Sequence, residues 1–545
     1  MFILYEEQDH CLNMASSLKL LLVSIFFLAS CVNAYKILIL YPTPSYSHQI
    51  SVMNIAEGLV KKGHEVFFVS PNSISGLREN YTYVDLSFSY KYFKKEDDNE
   101  AVNLEQQISR WDFVKVFVPF AAVPEKQFIS QPFVEFQRRV AAEQINFDVA
   151  IIEFVGIPYT CGMTRLLGRL TNSTIPLISM SSIASDFYAE RNLGSFHHLS
   201  YVPTIFDGYS NKMSLWQKID NWFLFHWTVL QMEAALTERA KGFYRDTYGE
   251  AAEGLVDGCF RNLSLSVISS NALYFYPRLL GPNVIEIGPV HLKTPEKLPE
   301  NLQNWMDGAE KGVIYFSLGS NMKSKSLPAV VLDNFLRFFK QLPSGYRVLW
   351  KWEKDGNIPG QSDNILSQKW LPQHSVLAHP KTKVFITQGG LQSFQEAVHY
   401  GVPTVGIPWY GDQNTIVAKI LDAQVGVRVL PKELTSYSKI ESGINAVLFD
   451  RRYSDNMKKL SLISHDFTSK SLENAIFWIE HVARHGGAPH LRPSTADSSY
   501  FEFLCLDILS VILVITTLVL YLLYFICKFT IALVSNYFSS KEKKS

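Results

Sequence analysis

Twice in this chain a short apolar strand runs into a tight turn and then into a helix with one apolar face. That rhythm restricts the fold more than any other feature. Tyr35-Lys36-Ile37-Leu38-Ile39-Leu40 reads as a buried parallel strand, and Pro42, Thr43, Pro44 and Ser45 as the turn after it. Val52, Ile55, Ala56, Leu59 and Val60 then recur at the spacing of one helix face, Gly63 marks the helix end, and residues 66–69 read as the next strand. Such a strand–helix–strand unit takes a right-handed crossover. The rhythm restarts at Lys311 with the strand Val313-Ile314-Tyr315-Phe316 and the turn Ser317-Leu318-Gly319-Ser320. Val331, Phe335, Phe338, Phe339 and Leu342 mark a helix, and residues 347–352, Val384-Phe385-Ile386-Thr387 and Thr404-Val405-Gly406-Ile407 mark further strands. This alternation predicts an α/β protein of two doubly wound, Rossmann-like domains facing a cleft. A chain of 545 residues exceeds one core, and we expect domains at 35–286 and 301–500 with a linker at 287–300, where Gly288, Pro289, Pro295 and Pro299 fall.

The two ends bear on location. Lys19 precedes the apolar run 20–28, and Val32-Asn33-Ala34 offers small residues for cleavage. Residues 14–34 therefore read as a signal peptide, with a signal anchor as the alternative. Residues 1–13 carry Glu6, Glu7 and Asp9 and fit no n-region, so Met14 is the better start. Residues 508–527 form an uninterrupted apolar run, about the length that crosses a bilayer as a helix. Asp497, Glu502 and Asp507 precede it, and Lys528, Lys541, Lys543 and Lys544 follow it, which predicts a luminal bulk and a cytosolic tail at 528–545. Lys541 and Lys543 match a dilysine retrieval signal for the endoplasmic reticulum, or serve only as a positive-inside anchor. The expectation is a single-pass type I protein of the endoplasmic reticulum membrane. The sequons at Asn80, Asn172 and Asn262 agree with a luminal location as glycosylation sites. Of six cysteines, only Cys161 and Cys259 belong to the luminal part, which allows one disulfide there without showing that it forms.

Lys plus Arg and Asp plus Glu are 51 each, which removes an electrostatic reason to expect nucleic acid. No CxxC or Cys/His cluster suggests structural zinc. Residues 215–227 carry Trp216, Trp222, Phe223, Phe225 and Trp227. They can line an acceptor pocket, touch a membrane surface, or form a packed helix face, the ordinary reading.

The chemistry concentrates in residues 370–413, WLPQHSVLAHPKTKVFITQGGLQSFQEAVHYGVPTVGIPWYGDQ. Thr387 ends a strand, Gln388-Gly389-Gly390 makes a turn, and a helix begins at Leu391. Glycines at such a turn let backbone amides approach an anion such as phosphate. Trp370 offers an indole face to a nucleobase, Glu396 two acceptor oxygens to ribose hydroxyls, and Asp412 with Gln413 an acid–amide pair for sugar hydroxyls.

The spacing of Trp370, Pro372, Gln373, His379-Pro380, Thr387, Gly389, Gly390, Glu396, Ala397, Pro403, Pro408, Asp412 and Gln413 resembles the signature of the family-1 UDP-glycosyltransferases. That group includes the UDP-glucuronosyltransferases and their arthropod and viral relatives. Phe316-Ser317-Leu318-Gly319-Ser320 and Phe477-Trp478-Ile479-Glu480 extend the resemblance, which covers the whole mature chain and is closest in its second half. It implies the GT-B fold and inverting transfer of a hexosyl group from a UDP-sugar to a hydroxyl of a small lipophilic acceptor. No cofactor or metal is implied, in keeping with the lack of any Asp-x-Asp triplet. The resemblance further implies that Trp370 stacks on uracil near Gln373, Glu396 holds the ribose, Ser317, Ser320, Gln388, Gly389 and Gly390 hold the diphosphate, and Asp412 and Gln413 grip the sugar, with Ser393 in the same donor set. Vertebrate members usually carry His where this chain has Gln388, which cannot become cationic. The Gln form is familiar among relatives that use UDP-glucose, so glucose is favoured over glucuronic acid.

Proton removal from the acceptor hydroxyl calls for a base near neutral pH. His48, just past the first strand, matches the family's base position. Glu153, at the end of the strand 149–153, stands where vertebrate members have Asp, to orient the imidazole; Asp148 is the weaker alternative. A catalytically inactive luminal protein that binds UDP-sugar or lipophile is the competing reading. A nicotinamide oxidoreductase is excluded because residues 42–48 contain no glycine. Whether the acceptor is a lipid, an ecdysteroid-like molecule, a plant toxin or a pigment stays open, as does homo-oligomerisation.

Overall fold

The computed structural model describes residues 34–92, 104, 109–320 and 322–542. The expected signal peptide up to Asn33, and Lys543 and Lys544 of the tail, lie outside the described residues. The chain divides into two compact units, one ending at Arg492 and one beginning at Pro493.

In the first unit the apolar opening forms β1 (Lys36–Leu40), fully buried after its first residue, and α1 (Tyr46–Lys61) follows it. Val52, Ile55, Ala56 and Leu59 are buried along one face of α1, as their spacing requires. The chain turns at Gly63, whose φ of 91° is open to glycine at no steric cost. β2 (Glu65–Ser70), β3 (Tyr81–Asp85) and β4 (Val149–Glu153) follow, then α2 (Ile157–Leu170), β5 (Leu177–Ser181), the long α3 (Leu215–Tyr248), β6 (Leu265–Ile268) and β7 (Val284–Glu286). These seven strands make one parallel sheet in the order β3-β2-β1-β4-β5-β6-β7. Residues 287–299 then contain no helix or strand.

The second sheet repeats the plan. It comprises β8 (Gly312–Ser317), α4 (Ala329–Lys340), β9 (Tyr346–Lys351), β10 (Ile365–Gln368), β11 (Thr382–Thr387), α5 (Leu391–His399), β12 (Thr404–Gly406), α6 (Gln413–Asp422) and β13 (Gly426–Arg428). Its six strands are again all parallel, in the order β10-β9-β8-β11-β12-β13. Parallel strands covered on both faces need near-continuous apolar runs, and β8 is buried along its whole length.

A later helix, α7 (Ser471–His485), falls in the stretch grouped by sequence with the second half, yet it lies on the first sheet. Its Ala475, Ile476, Ile479 and Val482 share a buried cluster with Ile37, Val52 and Ile55. Gly58 of α1 allows this approach, because a Cβ there would sit 2.8 Å from Ile476 Cδ1. Lys62 Nζ and His64 Nε2 each lie 2.9 Å from Glu480 Oε1, which ties the crossing in place.

The aromatic stretch 215–227 divides between two faces of α3. Phe225 is buried, whereas Trp216 is 78% exposed and Trp222, Phe223 and Trp227 are each about half exposed. The packed-face reading therefore holds for Phe225 alone among the five named aromatics. The asparagines of all three sequons are exposed, and Asn80 and Asn172 occupy turns at φ 55° and 50°. In the second unit α8 (Leu506–Glu542) is longer than the expected 508–527, because nothing after Lys528 breaks a helix: no Gly or Pro follows. Within its segment Leu506–Lys541 an 18-residue window reaches a mean hydropathy of 2.6, and the segment is long and apolar enough to cross a membrane.

Cys161 of α2 and Cys259 form a disulfide, with Cα atoms 5.9 Å apart, resolving the pairing that the cysteine count left open. The bridge closes a loop spanning 98 residues. Replacing both cysteines by Ala should lower the unfolding free energy by about 2–5 kcal/mol, seen as a lower denaturant midpoint. An unchanged midpoint would show that the loop is already constrained without the bridge.

Candidate active site

In each sheet the strand order reverses at one point, between β1 and β4 and between β8 and β11. Connections leaving the two central strands there diverge to opposite sides and open a crevice at the carboxyl ends, where ligands bind in such sheets. The residues singled out from sequence cluster at these two points.

At the first, His48 comes from the opening turn of α1 and Glu153 from the last position of β4. His48 Nδ1 lies 3.2 Å from Glu153 Oε1. Glu153 is fully buried, and its Oε2 accepts the Thr43 backbone N–H at 2.9 Å. Both carboxylate oxygens are thus held, and the longer Glu side chain is accommodated by the Thr43 turn. With the imidazole N–H given to the carboxylate, the ring's Nε2 keeps a lone pair and can take a proton. Asp148 does not compete for this role, because its Oδ2 accepts the Lys36 N–H at 2.7 Å, at the opposite edge of the sheet.

Asp412 precedes α6 and is close enough to His48 to feel its charge. Burial raises the Asp412 carboxyl to about 6, and His48 opposes that rise. Gln413 Oε1 accepts the backbone N–H groups of Trp409 at 2.8 Å and Tyr410 at 3.2 Å, which fixes the loop carrying Asp412.

At the second switch point Ser317 ends β8, and its hydroxyl accepts the Gly319 N–H at 3.4 Å. Ser320 is half-buried in the same turn. Gln388 follows β11 with its side chain packed against this turn. Gly319, at φ 78°, is required there because a Cβ would collide with Gln388 Nε2, and a Cβ on Gly389 would collide with Val417. Gln388 Oε1 is buried without a hydrogen-bond partner among the described residues. Gly390 caps α5, leaving that helix's first N–H groups facing the same space.

Beyond this turn Trp370 is 61% exposed. Tyr46 of α1 meets it edge-on at 6.1 Å, and Lys351 Nζ lies 5.1 Å from its ring. Gln373 accepts from Tyr315 OH at 3.1 Å and donates to Ser393 Oγ at 3.1 Å and Glu396 Oε2 at 2.8 Å. Burial pushes the Glu396 carboxyl up, but His291, His374 and Gln373 more than offset it and hold it below its usual range.

Sequence reasoning missed Lys351, whose Nζ donates to the Gly319 carbonyl at 2.6 Å and which burial pulls below its usual range. A lysine closing the otherwise buried β9 was the available signal. Tyr46, His291 and His374 were missed too, since nothing local in sequence links them to Trp370 or Glu396.

A model of the family described as UDP-glucoronosyl and UDP-glucosyl transferase matches residues 36–544. The chain is 30% identical to UDP-glucosyltransferase 2 of Dactylopius coccus, over 96% of this chain and 98% of that one. It is 28% identical to UDP-glucuronosyltransferase 2B7 of Homo sapiens, over 94% and 96%. Among solved structures, Phytolacca americana UGT2 complexed with UDP-2fluoro-glucose and pterostilbene aligns with a TM-score of 0.52 and 16% identity, over 83% of this chain and all of that one. The glycotransferase of kitacinnamycin aligns at 0.54 and 17% identity, over 82% and 99%.

Proposed function

This chain belongs to the UDP-glucuronosyl and UDP-glucosyl transferase family and has its GT-B fold, and from that premise we propose a specific reaction. It is a UDP-glycosyltransferase that passes glucose, in preference to glucuronic acid, to a hydroxyl of a small lipophilic acceptor, with inversion. The observation that carries this reading is the His48–Glu153 pair at 3.2 Å, with Asp412 within reach of its charge.

His48 Nε2 takes the acceptor proton as the hydroxyl oxygen attacks the anomeric carbon. The bond from that carbon to the diphosphate oxygen breaks, and UDP leaves with the electron pair. Attack from the face opposite the leaving group inverts the centre. Glu153 stabilises the imidazolium that forms, as a buried carboxylate on Nδ1 does in acyl-transfer hydrolases. The departing charge falls to the N–H groups of Gly389 and Gly390, the hydroxyls of Ser317 and Ser320, and the Gln388 amide, with Lys351 supplying a nearby cation and no metal assigned. Uracil stacks on Trp370, Glu396 accepts from the ribose, and Gln373 and Ser393 hold that carboxylate in place. Asp412 and Gln413 face the sugar. Gln388 presents a neutral amide to the departing diphosphate, the form found among relatives that use UDP-glucose, which supports glucose.

The acceptor side is aromatic. Phe154 directly follows Glu153 and lies 6.1 Å from Phe187, which lies 5.2 Å from Phe206, itself 5.0 Å from Phe113. The loop of Phe206 reaches the donor side, where Thr415 donates to the Thr204 carbonyl at 3.2 Å. Phe154, Phe187 and Phe206 are buried in one core cluster, so an apolar floor lies directly behind Glu153. The charge order around the apolar run 508–527, acidic before and Lys528 and Lys541 after, supports a luminal enzyme anchored in the endoplasmic reticulum membrane.

UDP release by membranes carrying the full chain, with a panel of phenols and steroids, tests the reaction. UDP-glucose should support acceptor-dependent turnover, and His48→Ala should lower kcat by about 10²–10⁴-fold while UDP binding persists. Turnover with UDP-glucuronic acid alone would overturn the donor preference. Turnover with neither donor, despite UDP binding, would favour a binding protein.

The Asp412 carboxyl, raised to about 6 by burial, is ionised above that pH and protonated below it. A protonated Asp412 loses acceptor capacity for sugar hydroxyls, so the donor KM should climb as pH falls from about 8 to about 5. Asp412→Asn should start from a high KM and lose that acid limb. A variant that keeps the wild-type pH profile would separate Asp412 from the sugar.

A further inference from the structure

Beside the ribose-facing carboxylate lies a group of ligands that the transfer reaction does not use. His291 Nε2 and His374 Nε2 each stand 3.5 Å from Glu396 Oε1. All three ligand atoms lie within 4.8 Å of one another. Tetrahedral zinc, with ligand bonds of about 2.0–2.2 Å, sets its ligand atoms about 3.3–3.5 Å apart. Two of the three separations already match.

The hydrogen bonding of the group calls for a cation. With Tyr400 OH donating its one hydrogen to the Lys293 carbonyl at 3.2 Å, His374 Nδ1 is left as the donor in its 3.2 Å contact with Tyr400 OH. His374 Nε2 then turns a lone pair toward a carboxylate oxygen, acceptor against acceptor. That Nδ1–H to Tyr400 bond is also the outer-shell support that fixes a metal-ligating imidazole. His291 supplies an independent sign. It is 1% exposed, and neither ring nitrogen has a hydrogen-bond partner among the described residues. A buried imidazole whose one polar neighbour is a carboxylate oxygen at 3.5 Å, beyond good hydrogen-bond length, is costly unless something binds it. His374, with 28% of its side chain exposed, opens the group to solvent.

We infer that His291, His374 and Glu396 bind a divalent transition metal, zinc by their ligand chemistry, when no donor is present, and that metal and UDP-sugar exclude each other. Two imidazoles and a carboxylate are a set zinc accepts, with a fourth position left to water. The exclusion rests on the ribose role proposed for Glu396; the metal site does not.

Titration calorimetry of the detergent-solubilised full chain with zinc, without and with saturating UDP, tests both parts. The surface histidines His481, His485 and His490 stand close together and can take zinc as well, so the signal read is the part that His374→Asn removes. Zinc binding weakened more than about tenfold by His374→Asn, and suppressed by UDP, supports the inference. His291→Asn gives a second variant should the first misfold, and loss of zinc binding on adding UDP needs no variant at all. Binding equal in wild type and both variants overturns the site. UDP binding without any zinc binding overturns it too and leaves the donor reading intact. Zinc that binds through His374 yet is not displaced by UDP overturns the exclusion, and with it the placement of the ribose on Glu396.

Discussion

Reversal of strand order in a parallel sheet is the constraint on which the rest of this protein depends. Between β1 and β4, and again between β8 and β11, neighbouring strands send their chains to opposite sides, and no loop can cover the carboxyl edge between them. His48 and Glu153 stand at the first such edge, and Ser317 and Gln388 at the second. The proposed base and the proposed phosphate-binding turn therefore each stand at the carboxyl edge of a sheet. The close contacts that remain are met by glycine, as at Gly319 against Gln388.

Holding the two halves in register is a separate problem, addressed largely by polar contacts. Gln392 and Gln395 of α5 donate to the carbonyls of Ser182 at 2.7 Å and Ser269 at 3.0 Å, and Tyr276 donates to Asp422 at 2.6 Å. Apolar residues of α5 and α6, such as Phe394 and Ile416, also join the core of the first half. The return of α7 to the first sheet adds a clasp in which Glu480 meets both Lys62 and buried His64. A carboxylate shared between a lysine and a histidine at a helix crossing is sensitive to geometry, because either partner left alone would strand a charge or a buried ring nitrogen. Interfaces between halves that mix apolar packing with hydrogen bonds of this kind are compatible with opening and closing around a substrate.

Electrostatics differ between the two sides of the crevice. Around His48, Glu153 is buried and held by a backbone N–H and the imidazole, and Asp412 is raised to about 6 by loss of water. At the second switch point Lys351 lies between the Gly319 carbonyl, the Glu353 carboxylate and the Trp370 ring, while Glu396 is held below its usual range despite burial. The first arrangement suits proton transfer near neutral pH, and the second suits a ligand that brings negative phosphates and donating hydroxyls together.

Periodicity alone was enough to read the α/β class, the two sheets and the face that α1 buries, because a parallel strand covered on both sides has few compositions open to it and a helix face repeats every 3.6 residues. Local spacing also brought out His48, Glu153 and the block from Trp370 to Gln413, since each lies within a turn of a strand end. What lay beyond the sequence were the relations set by packing between distant segments. Whether Cys161 and Cys259 bond and the fate of the aromatics along α3 depend on which face of an element meets which neighbour. So do the placement of Lys351 over Trp370, the meeting of His291 with His374 at Glu396, and the crossing of α7 to α1. These residues lie dozens to hundreds of positions apart, and only the tertiary structure, by closing those loops, decides which side chains share a few ångströms of space.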